Sequence, residues 1–133
     1  IVHGFGLQKG AVATTVAHDS HNAIVVGTND EDMLVALEAL QTMQGGLVVV
    51  EDGQVIGEMP LPVAGIMTDI EASVATQQLH KVHEALHRIH PHLQFHFFLT
   101  LSFLSLPVIP TLKLTDTGLF DVTNFKHIEI EAL

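Results

Sequence analysis

Residues 47–58, LVVVEDGQVIGE, predict a β-hairpin around which the rest of the chain can be arranged. Runs rich in β-branched residues, typical of strands, flank the pair Asp52-Gly53. An Asp-Gly pair tolerates the positive φ angles that a two-residue hairpin turn requires, so it is the strongest short hairpin signal in the sequence. We therefore predict strands over residues 47–51 and 54–58 with a tight turn between them.

A second hairpin is predicted upstream of the first. Residues 11–17 (AVATTVA) and 23–27 (AIVVG) combine small and β-branched residues, and residues 18–22 (HDSHN) between them are rich in turn formers. This order favours a strand, a tight connection and a second strand.

Two helices are also predicted. Residues 28–32 (TNDED) supply a cap and first-turn carboxylates, and Gly45-Gly46 ends that helix. The other helix runs from about residue 69 to about residue 89, and Pro91 ends it. Their apolar stripes at helical spacing are Met33, Leu37 and Leu40 in the first helix, and Val74, Leu79, Val82, Leu86 and Ile89 in the second.

Downstream of the second helix the pattern leaves alternatives open. Residues 95–106 are mostly apolar without a clear period, which fits either a buried strand or a packed irregular segment. Residues 116–118 predict a turn, and the tail from residue 119 is predicted to be partly extended. We therefore expect residues 1–133 to form a single α+β domain, layered, with a mixed or antiparallel sheet, two β-hairpins and two main helices.

Composition excludes several classes of function. The 133 residues carry 15 acidic and 5 basic side chains, a formal charge of −10, which argues against nucleic acid and membrane as partners. The absence of cysteine excludes disulfides, thiol catalysis and thiolate-bound zinc or iron–sulfur clusters. The longest apolar run is too short to span a bilayer, and Ile1 begins neither a signal peptide nor an intact reading frame. We expect a cytoplasmic protein with a cut N-terminal end.

The sharpest cluster of chemical groups is His18-Asp19-Ser20-His21-Asn22. Two imidazoles and a carboxylate could bind a divalent metal, or could position a water or a base. The alternative is a plain turn, in which Asp19, Ser20 and Asn22 satisfy local backbone groups and both histidines are exposed. Spacing alone favours the plain turn.

Four more histidines lie on the second predicted helix. His80, His83, His87 and His90 fall within an arc of about 80° around the helix axis. Histidines at such spacing can chelate a transition metal, but no carboxylate within the arc completes a site. We expect a partly solvated rim that binds metal only adventitiously. The alternative is a stand-alone metal-binding or protein-interaction module that uses this histidine-rich helix.

Several motifs follow one another along residues 4–122 without large gaps. They are Gly4-Phe5-Gly6-Leu7 with Lys9-Gly10-Ala11, and residues 15–22 (TVAHDSHN), 25–33 (VVGTNDEDM), 45–50 (GGLVVV), 61–69 (LPVAGIMTD), 98–110 (FLTLSFLSLPVIP) and 112–122 (LKLTDTGLFDV). Together they resemble the C-terminal region of the bacterial adenine deaminases, members of the amidohydrolase superfamily.

This resemblance implies an enzyme of purine metabolism that hydrolyses adenine to hypoxanthine and ammonia, a step of adenine catabolism. It implies a metal-bearing (β/α)₈ barrel preceding this region, with manganese or iron bound mainly outside these residues. The partners implied are that N-terminal barrel domain, adenine as the substrate and further copies in a homo-oligomer. The catalytic residues are expected in the barrel, so this chain alone should be inactive.

The resemblance also favours a functional role for residues 15–22, which match the family pattern as they stand. The hypothesis is that His18, Asp19, His21 and Asn22 border the active-site mouth. There they would close it over the purine, or bind an auxiliary metal through His18 and His21. The helix histidines stand where no family motif is expected.

Overall fold

The computed structural model describes residues 4–129, which form three helices and seven strands. In chain order these are β1 (Ala11–Thr14), β2 (Ile24–Gly27), α1 (Asp30–Met43), β3 (Gly46–Glu51), β4 (Gln54–Pro60), α2 (Ala72–Ile89), α3 (Phe97–Ser102), β5 (Leu112–Thr115), β6 (Gly118–Asp121) and β7 (Lys126–Ile128).

The strands form two sheets in the described residues, a larger one in the order β2-β1-β3-β4 and a smaller one in the order β5-β6-β7. Every pairing in both sheets is antiparallel. The predicted layered α+β class and both predicted hairpins are confirmed, with antiparallel sheets. The upstream hairpin has a longer connection than predicted, because β1 ends at Thr14 and β2 begins at Ile24.

The turn between β3 and β4 has the geometry that its sequence predicts. Asp52 and Gly53 have φ angles of 52° and 72°, both in the left-handed region. Glu51 pairs with Gln54 directly across the turn. Two positive φ angles are what a type I′ turn requires, and its twist matches that of the flanking strands.

Helix α1 begins where its sequence predicts a cap. The Asn29 side chain accepts a hydrogen bond from the Asp32 backbone N–H at 2.8 Å. At the other end, Gln44 takes a left-handed φ of 62° and its backbone N–H bonds to the last turn of the helix. The helix thus ends at Met43, two residues before the predicted glycine pair, and Gly46 already belongs to β3.

The larger sheet lies between helices on both faces. Strands β1 and β3 are buried throughout, as expected for strands covered on two sides. On one face, Ala36 and Leu40 of α1 pack with Ala11, Ala13, Val48 and Val50. On the other face, Val82, Leu86 and Ile89 of α2 and Phe97 and Leu101 of α3 pack with Val12, Leu47 and Val49.

Helix α2 crosses β4 at Gly57. A Cβ at this position would lie 2.7 Å from Cβ of Ala85 and 3.2 Å from Cα of Val82. Because a side chain at residue 57 would push the helix away, the glycine sets the distance between helix and sheet.

The structure differs from the sequence predictions at two helices. Residues 97–102, left between strand and irregular segment, form the short helix α3. The apolar stripe predicted for α2 is buried only in its C-terminal half, whereas Val74 and Leu79 are 43% and 38% exposed. The buried residues of α2 begin at Val82, because only the C-terminal half of the helix packs on the sheet.

The turn predicted at residues 116–118 joins β5 to β6 and is confirmed. The partly extended tail is confirmed up to residue 129, where its strands β6 and β7 join β5 in the smaller sheet, and residues 130–133 lie outside the described residues. Across residues 4–129, none of the helices has both the length and the apolar character to cross a bilayer.

Candidate active-site loop

The predicted HDSHN cluster lies in the loop between β1 and β2. His18, Asp19, Ser20 and His21 are exposed, and Asn22 is half-buried. The hydrogen bonds made by side chains in this region come from Thr14, Thr15, His18 and His21. Within residues 4–129, none comes from the side chains of Asp19, Ser20 or Asn22. The loop therefore matches the plain-turn alternative in its turn at residues 18–20 and in its exposed histidines, but within residues 4–129 it lacks the local side-chain bonds that this alternative expects from Asp19, Ser20 and Asn22.

His18 is fixed to the end of helix α3. Its backbone N–H donates to the carbonyl of Ser102 at 3.0 Å, and its Nδ1 lies 3.3 Å from Oγ of Ser102. The imidazole ring also stacks on Phe103, with the ring centroids 4.6 Å apart and the planes 15° from parallel. The end of helix α3 therefore contacts this imidazole in two ways, through Oγ of Ser102 at Nδ1 and through the ring of Phe103 stacked on its face.

His21 turns back onto its own loop. Its backbone N–H donates to the Ala17 carbonyl at 2.9 Å, and its Nδ1 accepts from the Ala17 backbone N–H at 3.3 Å. An Nδ1 that accepts a hydrogen bond is unprotonated, so the neutral ring carries its hydrogen on Nε2. His21 in this conformation offers a hydrogen-bond donor and has no nitrogen lone pair left for a metal.

Thr15 ties the start of this loop to two other segments. Its Oγ1 donates to the Gly65 carbonyl at 2.5 Å and accepts from the Gly46 backbone N–H at 2.8 Å. The backbones approach closely here, since a Cβ on Gly45 would lie 2.5 Å from Cα of Gly65.

The loop therefore gathers motifs that are far apart in sequence. Residues 15–22 contact residues 45–50 and 61–69 through Thr15, and residues 98–110 through His18. Spacing alone could not reveal Ser102 and Phe103 as partners of His18, because 84 positions separate His18 from Ser102. Their only signal in the sequence is that they lie inside a motif.

The described residues do not assemble a complete metal site. Nowhere in residues 4–129 do three or more His, Asp or Glu side chains come together so that they could hold a metal ion. In the loop, His18 bonds to α3 while His21 folds back on Ala17. The divalent metal that the family resemblance implies therefore does not fit this part of the chain.

The histidine-rich helix divides into two kinds of residue. His80, His83 and His87 are exposed, as expected for a solvated rim, and Nε2 of His80 lies 3.3 Å from Oε1 of Glu84. The same prediction is wrong for His90, which is 6% exposed and donates its Nε2–H to the Phe5 carbonyl at 2.7 Å. His90 lies past the last residue of α2, where the chain turns inward. The alternative of a metal-binding module built on this helix is not supported.

A buried carboxylate marks the opposite end of the central strands. Glu51 forms ion pairs with Lys9 and with Nε of Arg88, the latter at 2.7 Å. The hydrogen bond from Lys9 and the charge of Arg88 hold the pKa of Glu51 below its ordinary value, although burial acts in the other direction. In the pairing of β1 with β3, Ala11 faces Val50 and Thr14 faces Leu47, so this cluster lies away from the HDSHN loop. It stabilises the fold and is not part of the candidate site.

Comparison with known proteins identifies relatives over nearly the whole chain. The family described as the adenine deaminase C-terminal domain matches residues 1–126. The adenine deaminase of Lysinibacillus sphaericus is 67% identical over 132 residues, which is 99% of this chain and 23% of that protein. Those of Bacillus pumilus and Bacillus subtilis are 54% and 50% identical, over 99% and 98% of this chain and again 23% of each protein. The chain thus spans about a quarter of the length of the curated relatives it matches.

Proposed function

Because this chain belongs to the adenine deaminase C-terminal domain family, we propose that it serves the hydrolysis of adenine to hypoxanthine and ammonia as one domain of a larger enzyme. The support is the family match together with coverage of 99% of this chain but only 23% of the Lysinibacillus enzyme. Residues 1–133 would be a single domain that packs on a (β/α)₈ barrel of the amidohydrolase superfamily. That barrel would carry the catalytic residues.

The manganese or iron of such an enzyme would be bound by the barrel. This assignment is supported by the described residues, which bring no group of three or more potential ligands together. No step of the reaction is therefore assigned to a metal held by this chain. The role left for its residues is to bind and orient the purine and to exclude water from the site.

The HDSHN loop is the part of this domain that we propose borders the active-site mouth. The observation that carries this proposal is the fixed, exposed imidazole of His18, held by Ser102 and Phe103 of a distant motif. His21 adds an Nε2–H donor, and Asp19 and Asn22 keep their polar groups free of hydrogen bonds within residues 4–129. Adenine presents both ring-nitrogen acceptors and an amino donor, so a loop with mixed donors and acceptors suits it.

The wider setting that we propose is a homo-oligomer in the cytoplasm, acting in adenine catabolism, with neither nucleic acid nor membrane as a partner. The formal charge of −10 supports this choice of partners, because phosphate-rich surfaces attract basic domains.

The experiment that tests this function uses the Lysinibacillus sphaericus enzyme with this chain in place of its matching residues. His18→Ala and His21→Ala should each lower kcat/KM for adenine by at least about tenfold, because each removes a polar group from the mouth of the site. His87→Ala is the matched control, since it removes an exposed imidazole from helix α2.

Unchanged kinetics for both loop variants, with circular dichroism showing an intact fold, would contradict the role of the loop. This chain alone, supplied with Mn²⁺ or Fe²⁺, should show no adenine deamination. Activity of the chain alone would overturn the assignment of the chemistry to the barrel.

A further inference from the structure

We propose that Ser102 is a positioning residue that sets the tautomer of His18 and so keeps Nε2 of His18 an unprotonated hydrogen-bond acceptor. The tautomer is inferred from the hydrogen bonds alone, whereas its consequence for turnover rests on the function proposed above. The inference also gives residues 98–110, a motif with no role so far, a part in building the site.

The Ser102 hydroxyl has one hydrogen, and that hydrogen is already used. Its Oγ donates to the Leu99 carbonyl at 2.7 Å within helix α3. A hydroxyl that donates elsewhere can only accept from a second partner. The 3.3 Å contact between Oγ and Nδ1 of His18 therefore needs the hydrogen on Nδ1, and the neutral ring then has its lone pair on Nε2.

Water cannot readily take the place of this contact. Ser102 is 2% exposed, so its hydroxyl has no competing solvent partner. The backbone bond from His18 to the Ser102 carbonyl and the stacking on Phe103 hold the ring in register with that hydroxyl. When a buried partner fixes the hydrogen at one ring nitrogen of a histidine, it decides whether the other nitrogen donates or accepts a hydrogen bond.

The result is one loop with two histidines in opposite tautomers. His18 presents Nε2 as an acceptor, and no hydrogen bond among residues 4–129 uses this nitrogen. His21 presents Nε2–H as a donor, because its Nδ1 accepts from Ala17. Ser102 thus makes Nε2 of His18 an acceptor toward a ligand, and the loop backbone makes Nε2–H of His21 a donor.

The tautomers can be read directly by nitrogen-15 NMR of this chain at about pH 8, where an unperturbed imidazole is neutral. His18 should carry its hydrogen on Nδ1, and His21 should carry its hydrogen on Nε2. Ser102→Ala should shift His18 toward the Nε2–H form, while Ser102→Thr should keep the original form. Ser105→Ala is the matched control, because the Oγ of Ser105 has no hydrogen-bond partner within residues 4–129.

The kinetic arm uses the same substitutions in the chimeric Lysinibacillus enzyme. Ser102→Ala should lower kcat/KM by about tenfold, as losing the orienting partner of a site histidine does, and Ser102→Thr should restore most of it. Ser105→Ala should leave kcat/KM unchanged.

Two results would overturn the inference. One is a wild-type His18 that carries its hydrogen on Nε2, and the other is a kcat/KM unaffected by Ser102→Ala although His18→Ala lowers it. If His18→Ala and His21→Ala both leave kcat/KM unchanged, the proposed role of the loop fails, and NMR still decides the tautomer independently.

Discussion

The backbone N–H of Gly53 donates to Oδ1 of Asp32 at 2.7 Å, which binds the β3–β4 turn to the first turn of helix α1. Asp32 is 3% exposed, and its Oδ2 accepts from Nδ2 of Asn29 at 2.7 Å. One buried carboxylate therefore completes the start of the helix and fixes the hairpin beside it.

Replacing Asp32 should destabilise the domain through both of these contacts. We expect Asp32→Ala to lower the free energy of unfolding by about 2 kcal/mol, because hydrogen bonds to a charged group are lost and the Gly53 N–H is left without its partner. Urea denaturation measures the change. Asp30→Ala is the control, since Asp30 is an exposed carboxylate in the same helical turn, and its effect should stay within about 0.5 kcal/mol. Equal losses for the two variants would mean that the helix dipole, not the Gly53 contact, is responsible.

The ion cluster at Glu51 predicts a dependence of stability on pH. The folded-state pKa of Glu51 lies below the ordinary value of 4.5. Folding is therefore stabilised by this group above that value, and the contribution is lost as the pH falls through the folded-state pKa. Glu51→Gln should be less stable than wild type at pH 7.

The difference between Glu51→Gln and wild type should shrink when the pH is lowered below 4.5. Glu58→Gln, an exposed change on the next strand, should show no such trend. Thermal unfolding followed across this pH range measures both. A Glu51→Gln effect that is constant with pH would contradict the ion pairs with Lys9 and Arg88.

The Thr15 hydroxyl should hold residues 61–69 in place. Thr15→Val keeps the shape of the side chain but leaves the Gly65 carbonyl and the Gly46 N–H without their partner. We expect a loss of about 2 kcal/mol in the free energy of unfolding. Hydrogen exchange should also become faster at residues 61–67. Thr42→Val is the control, because that hydroxyl bonds only to the Glu38 carbonyl on an exposed face of α1. Unchanged exchange in Thr15→Val would show that the loop is held by other contacts.

The two kinds of helix histidine should respond differently to mutation. His90→Ala removes the bond to the Phe5 carbonyl and the edge-on packing against Phe95 and Phe97. The expected cost is about 3 kcal/mol, measured by urea denaturation. His83→Ala, which changes an exposed residue of helix α2, should cost no more than about 0.5 kcal/mol. Similar costs for the two would contradict the buried role of His90.

Short sequence motifs predicted the turns whose backbone angles they determine. The Asp52-Gly53 pair predicted its turn because only a few residue types accept two positive φ angles. Helix α3 was not predicted, because residues 97–102 (FFLTLS) are mostly apolar and too short to show a period that distinguishes strand from helix. The order of the larger sheet was not predicted either, because the pairing of β1 with β3 joins strands on either side of α1.

The candidate site shows the same division. The composition of the HDSHN loop identified it as a candidate site, but the sequence did not reveal the residues that contact and fix it. Ser102 contacts His18 only because α3 packs under the end of β1, and that packing depends on the whole core. The inward position of His90 likewise follows from where α2 ends, since spacing on a helical wheel still grouped it with exposed residues.

The central pairing of β1 with β3 has a kinetic consequence. Each hairpin of the larger sheet joins segments that are near neighbours in sequence, whereas Thr14 must find Leu47 across the whole of α1. Short loops close at little entropic cost and long ones at more. The two hairpins and α1 should therefore form early, and their docking along β1 and β3 should limit the folding rate. The HDSHN loop would gain its final shape only in that last step, when Thr15 meets Gly46.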